Sequence, residues 1–325
     1  METPTVDPPA GNEAIHKDPE ETPRFESRNP AMIALLEAAK RAAAAETTIL
    51  LTGESGTGKN ALARQIHRWS ARRDGPFVII NCTAFAAQLL ENELFGHVRG
   101  AFTGAIDSKP GRLEAGDGGT VLFDEIAELP TTLQAKFLRF IQERRFERLG
   151  GRRTLTINVR ILASSNRNLE VEVAERRFRE DLYYRLNVIT FTLPPLRDRV
   201  QDILPMAAWI LRQIALKTNR PELGLSAEAA AALVSYRWPG NIRELHNALE
   251  RCAALGCREI IMPVDLPEPI SKSVSCVSTV DDPNNLERDY ILRTLAQSST
   301  LAEAAARLGI NVATLWRKRK RYGIE

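Results

Sequence analysis

Gly53-Glu54-Ser55-Gly56-Thr57-Gly58-Lys59 has the spacing G-x-x-x-x-G-K. Glycines in such a run let successive backbone N–H groups turn inward around phosphate oxygens, and the terminal lysine reaches the outer phosphates. Asn60 follows, where Ser or Thr ordinarily offers a hydroxyl to Mg²⁺. A second group is Asp124-Glu125, directly after the apolar run Val121-Leu122-Phe123. One carboxylate suits Mg²⁺, directly or through water, and its neighbour suits a general base that polarises an attacking water. An Asp-Glu pair after a strand is common, and a glycine-rich turn with a chance lysine is the plain alternative for the first group. The two in one domain point to hydrolysis of a nucleoside triphosphate, with ATP and Mg²⁺ as the expected cofactors. Asn166, after a further apolar run, stands where a polar side chain can sense the γ-phosphate.

These groups need strands to hold them. Thr47–Leu51 reads as a buried strand running into the glycine loop, with a helix over Asn60–Ser70 behind it. Phe77–Ile80, ending at Asn81, Gly119–Phe123, Ile157–Ser164 and a run around Val188–Phe191 read as further strands. Strands alternating with helices, the first over Ala31–Ala45, predict an α/β fold with a parallel sheet covered on both faces. Its ligand belongs at the strands' carboxyl ends, where both groups fall. From Asp202 to about Ala254 the strand signal vanishes and amphipathic helices predict a small lid. Asn241 or the Pro239-Gly240 turn starts a helix there that presents Arg243. Between the two chemical groups lies Gly100-Ala101-Phe102-Thr103-Gly104-Ala105, a permissive loop bearing one aromatic. That ring either packs back as a local anchor or reaches for a partner.

The chain carries a net charge of +3 over 325 residues. Leu286–Glu325 holds eight Lys/Arg and four Asp/Glu, a balance of +4, so the first 285 residues sum to −1. The basic excess therefore sits at the C-terminus and points to nucleic acid there. Leu301–Leu308, a Gly309-Ile310-Asn311 turn and the basic Val312–Arg321 form a helix-turn-helix signature, giving an all-α C-terminal domain. Asn311, Ala313, Thr314 and Arg317 are candidates for reading the major groove, and Lys318, Lys320 and Arg321 for contacting phosphates. A solvated basic helix is the alternative for each residue. The four cysteines show no C-x-x-C pair, which argues against a zinc site or disulfide framework. No apolar run approaches the ~20 residues of a membrane span, so no membrane partner and a reducing cytoplasm are expected.

GESGTGK, GAFTGA, VLFDE, FREDLYYRL, PPLRDR and WPGNIREL, in this order, resemble the AAA+ domain of bacterial activators of sigma-54 RNA polymerase. The match runs from about Phe25 to Pro267, and the C-terminus resembles a Fis-type DNA-binding domain. GAFTGA is its most specific element. The resemblance implies a P-loop ATPase that assembles from dimers into a hexameric ring, binds double-stranded upstream DNA and remodels a closed sigma-54 polymerase complex. It implies that the Gly53–Gly58 loop and Lys59 bind phosphates, that Asp124 serves Mg²⁺ and that Glu125 activates water. Asn81 matches a residue that restrains that Glu, Asn166 a sensor, and Arg243 the lid sensor. Arg179 and Arg185 match arginine fingers supplied across a subunit interface, and Gly100–Ala105 the contact to sigma-54. Family members often lack Ser/Thr at the position of Asn60. Plainer readings stand beside these: surface ion pairs for Arg179 and Arg185, a strand end for Asn166, and pairing of Arg243 with Glu244 or Glu250.

The resulting division is a disordered segment over 1–24, an α/β subdomain over 25–200 and a helical lid over 201–266. A linker over 267–285 and the DNA-binding domain over 286–325 complete it. Only the disordered segment precedes Phe25 in this sequence, which fits control in trans or by abundance, or a shortened form of a longer regulator. The rival functions are an ATP-gated DNA-binding regulator independent of sigma-54, which GAFTGA argues against, and a AAA+ remodeller of DNA itself. The second class lacks this loop.

Overall fold

A computed structural model describes residues 27–83, 87–219, 221–255, 259–272, 291, 294–295, 298, 300–308 and 310–322. The expected disordered segment lies outside them. The described chain forms two compact units, one of residues 27–219 with 237–250 and another of 221–236 with residues from 251 onward.

In the first unit, elements follow in the order α1 (Pro30–Ala43), β1 (Ile49–Thr52), α2 (Lys59–Trp69), β2 (Phe77–Asn81), α3 (Ala87–Phe95), β3 (Gly96–His97), β4 (Lys109–Pro110), α4 (Arg112–Ala115) and β5 (Thr120–Asp124). Then come α5 (Thr131–Glu143), β6 (Arg145–Glu147), β7 (Thr154–Thr156), β8 (Arg160–Ser165), α6 (Leu169–Ala174), α7 (Glu180–Leu186), β9 (Ile189–Thr192) and α8 (Ile203–Thr218). Five strands form one parallel sheet in the order β2-β5-β8-β1-β9. Alternation along each strand sorts side chains to two cores, as the period-2 geometry of strands requires. Leu50, Val121, Phe123, Ile161 and Ala163 face a cluster with Phe137 and Phe140 of α5. Ile49, Leu51, Leu122 and Leu162 face the opposite cluster with Met32 of α1 and Leu62 and Ile66 of α2. Phe123 meets Phe137 edge-on, with centroids 4.4 Å apart.

The sequence-predicted strands and helices fall on these elements with ends displaced by a few residues. Ile157–Ser164 divides: β8 begins at Arg160, while residues before it return from a β6–β7 hairpin. Arg160 explains the start. It is buried and donates to the carbonyl oxygens of Ala43 (2.6 Å) and Ala42 (3.0 Å), capping the end of α1.

The second unit holds α9 (Ala227–Ser235), the end of α10 (Asn241–Ala254), α11 (Glu268–Ser271), α12 (Leu301–Arg307) and α13 (Val312–Tyr322). The region expected to be purely helical also contains a parallel pair, β10 (Gly224–Leu225) with β11 (Ile260–Ile261). Two-residue strands are too short to leave a period in sequence. Likewise α11 begins inside the stretch expected as linker, because Ile270 is buried and Pro269 suits a first helical turn. Residues 273–285 of that expected linker lie outside the described residues. Ile291, Ala304, Ala305 and Leu315 form the small core of the helix-turn-helix.

Candidate nucleotide-binding site

Because the five strands are parallel, their carboxyl ends open on one edge, and the chemical residues collect there. β1 delivers the glycine loop; Gly58 at φ 102° and Gly56 at φ 78° take the left-handed backbone that glycine alone tolerates well. Lys59 is buried, and its Nζ donates to the carbonyl oxygens of Gly53 (2.9 Å) and Glu54 (3.2 Å). It lies 3.6 Å from Glu125 Oε1. Thr57 Oγ1 donates to Glu54 O at 2.8 Å, closing the turn.

β5 delivers the carboxylates. Asp124 Oδ2 accepts from Asn60 Nδ2 at 2.8 Å, and Oδ1 accepts from Ser164 Oγ at 2.5 Å. Asn60 thus reaches the acid at which a hydroxyl would share a metal. Glu125 sits at φ 55°, a left-handed conformation costly for a side-chain-bearing residue. Its carboxylate accepts from the backbone N–H of Asn166 (2.8 Å), so the end of β8 positions the acid. Ser164 is a site residue that sequence reasoning missed: its Oγ also accepts from Glu125 N at 3.3 Å. A buried serine inside a strand run carries no signal of its own.

Asn81 ends β2 in register with Asp124. Its carboxamide oxygen accepts from Thr83 N (2.9 Å) and Thr83 Oγ1 (2.7 Å), and among the described residues no hydrogen bond joins it to Glu125. The sheet therefore brings Asn81 to the edge while its side chain engages its own turn.

The start of α10 closes over the glycine loop within the same unit. Arg243 Nη1 donates to Ser55 Oγ at 2.7 Å rather than pairing with Glu244 or Glu250, and Ile242 N donates to Gly56 O at 2.9 Å. A Cβ on Gly56 would meet Gly240 O at 2.4 Å, so glycine is required for this approach. Arg197 Nη1 and Nη2 hold Glu54 at 2.8 and 2.5 Å, and Asn241 Nδ2 donates to the same carboxylate at 3.2 Å. These bonds hold the Glu54 carboxyl down to about 2, ionised at neutral pH. Arg199, buried, donates to Thr57 O at 2.6 Å. The PPLRDR run thus grips the loop at two points that its sequence does not announce.

The two candidate fingers lie on α7 and at the residue before it. Arg179 is the cap residue before α7 rather than a member of it, and its guanidinium holds Asp181 at 3.0 and 2.8 Å. Arg185 is exposed on the last turn, with no hydrogen bond or ion pair among the described residues. The Gly100–Ala105 loop is closed by Gly100 N donating to Ala105 O at 2.9 Å. Phe102 leans on His97 with ring centroids 5.1 Å apart yet stays 46% exposed. The anchor and the outward readings of this aromatic each describe one of its faces.

On α13, Asn311 Oδ1 accepts from Thr314 N at 2.7 Å and caps the helix. Ala313 and Arg317 are exposed, Thr314 and Lys318 half-buried, and Lys320 lies 5.4 Å over the exposed Trp316 ring. The Arg321 side chain lies outside the described residues.

Residues 25–192, which span the loop, both carboxylates and α7, match the family model described as Sigma-54 interaction domain. The chain belongs to the sigma-54 activator family. Residues 197–281 of this activator match a AAA+ ATPase lid domain, and 283–322 match the Bacterial regulatory protein, Fis family. AlgB, the alginate biosynthesis transcriptional regulatory protein of Pseudomonas putida, is 50% identical over 302 residues, covering 92% of this chain and 67% of AlgB. Regulatory protein AtoC of Escherichia coli is 41% identical over 311 residues, covering 92% of this chain and 68% of AtoC. Among solved structures, NtrX from Brucella abortus in complex with ATP gives a TM-score of 0.70 at 32% identity, covering 93% of this chain and 70% of NtrX. This sigma-54 activator is therefore a nucleotide-binding AAA+ ATPase and a transcription regulator with a Fis-type DNA-binding domain. No helix among the described residues is long and apolar enough to cross a membrane.

Proposed function

We infer that this chain binds ATP and Mg²⁺ at the carboxyl edge of the sheet and works as a ring of subunits. Bound upstream on DNA, that ring remodels the closed complex of sigma-54 polymerase in the cytoplasm. The observation that carries this reading is the convergence of Lys59, Glu125, Asp124 and Asn60 within hydrogen-bonding or ion-pair reach. Lys59 exchanges the carbonyls of Gly53 and Glu54 for phosphate oxygens. Glu125, steadied by the Asn166 N–H, takes the proton side of the attacking water. Asp124 fits Mg²⁺, which generally uses one or two carboxylates with phosphate oxygens and water, and Asn60 Nδ2 steadies that carboxylate at 2.8 Å. Bound there, the ion would neutralise charge on the phosphates.

Arg243 reads the nucleotide from the lid and Asn166 senses the γ-phosphate, while Asn81 restrains Glu125 only after its carboxamide leaves Thr83. Arg179 and Arg185 serve the neighbouring subunit's site. Residues Gly100–Ala105 contact sigma-54, and Asn311, Ala313, Thr314, Arg317, Lys318, Lys320 and Arg321 contact DNA. The domains run 25–200, 201–266 and 286–325. In vitro transcription tests the whole: ATP-dependent open complexes with sigma-54 polymerase and none with sigma-70 polymerase are expected. Activation of sigma-70 polymerase alone would replace this reading with a sigma-54-independent regulator.

A further inference from the structure

Glu54 is an anionic side chain on the loop that cradles an anionic ligand, which demands a reason. It joins three segments far apart in sequence. Its two carboxylate oxygens accept from Arg197 at 2.8 and 2.5 Å, and from Asn241 Nδ2 at 3.2 Å. Asn241, fully buried, also donates to Ser55 O at 3.0 Å and accepts from Leu196 N at 2.8 Å. One residue on, Ile242 N takes Gly56 O, and Arg243 takes Ser55 Oγ at 2.7 Å. Glu54, Ser55 and Gly56 are thus bound in succession by the start of α10.

We propose that Glu54 is a positioning residue that docks the start of α10, with Arg243, onto the phosphate loop, and that Arg197 is its charge-neutralising partner. The proposal rests on nucleotide binding at Gly53–Lys59. The carboxylate directs the Asn241 amide and so the helix that carries Arg243. Unpaired, the same carboxylate would repel a polyphosphate held by its own loop. Arg197 therefore does two things: it fixes the geometry, and it cancels the field that Glu54 would otherwise present to the ligand. Those two roles separate by mutation. Glu54→Gln keeps an acceptor and removes the charge, so only the docking weakens. Arg197→Ala removes the partner and leaves the charge, so docking weakens and the ligand is repelled.

ATP affinity of the full chain, measured by calorimetry with Glu125 replaced by Gln to block turnover, tests this. Arg197→Ala should weaken binding on the order of tenfold and Glu54→Gln by only about threefold, within the range for directly contacting residues. Adding Glu54→Gln to Arg197→Ala should restore affinity to that of Glu54→Gln alone. Raising salt should narrow the Arg197→Ala deficit, because screening acts on the exposed unpaired charge. A merely structural pair would show neither the rescue nor the salt effect. Equal losses in the two single variants, or additive losses in the double, would overturn the proposal. Absence of ATP binding by the parent chain would instead overturn the nucleotide site itself.

Discussion

Arg179 and Arg185 lie near one another in sequence and differ sharply in what they touch. Arg179 is committed to Asp181, whereas Arg185 is exposed without a hydrogen-bonding partner among the described residues. A free guanidinium needs no bond broken before it reaches another molecule's phosphate. Arg185→Ala should therefore still assemble and bind ATP but lose hydrolysis by about 10³–10⁵, the range for arginine fingers in trans; near-normal turnover by the assembled variant would remove that role. Residue types with one strong chemical use were legible in sequence: Lys59 and Asp124-Glu125 stand where their spacing placed them. Ser164 was not, and Glu54 was legible only as a member of the phosphate loop and not as Arg197's partner, because a serine or glutamate acquires its meaning from partners brought by the fold. Glu54 and Arg197 are 143 positions apart, and no local pattern joins them.

At the scale of elements, the sheet was readable because runs such as Val121-Leu122-Phe123 must fill a core on each face. The neck of the GAFTGA loop was not, since β3 and β4 have two residues each. Their close pairing depends on Gly96, where a Cβ would meet Lys109 O at 2.4 Å. The β6–β7 hairpin braces the same loop: Val98 N donates to Leu149 O at 3.0 Å, and Leu149 N to Gly96 O at 2.9 Å. The loop tip is thus mounted on a tight base, with Thr103 exposed and in no hydrogen bond among the described residues. Thr103→Ala removes nothing that holds the base together. It should leave ATPase activity and DNA binding largely intact while abolishing open-complex formation on a sigma-54 promoter, read by permanganate footprinting. Normal activation would return Phe102 to the role of an anchor on His97.

For the molecule as a whole, the basic C-terminal balance makes α13 the helix on which DNA affinity is expected to concentrate. Lys320, exposed on that helix, is expected to displace a single phosphate counterion. Lys320→Ala should lower affinity for all sequences alike and reduce the slope of log K against log salt by about 0.9, measured by fluorescence anisotropy. A change confined to one operator sequence would instead make it a base reader. The strand order has a different consequence, in time rather than space. Among the described residues β1 pairs with β8 and β9 alone, so Ile49 waits for Leu162 and Ile189 before either edge is covered. Synthesis at roughly 5–20 residues per second leaves Ile49-Leu50-Leu51 without a strand partner for several seconds or more. During that interval the segment that carries the phosphate loop has α1 and α2 to pack against but unpaired backbone on both edges. A growing copy of this activator is therefore expected to be exposed to aggregation until its fourth sheet strand has left the ribosome.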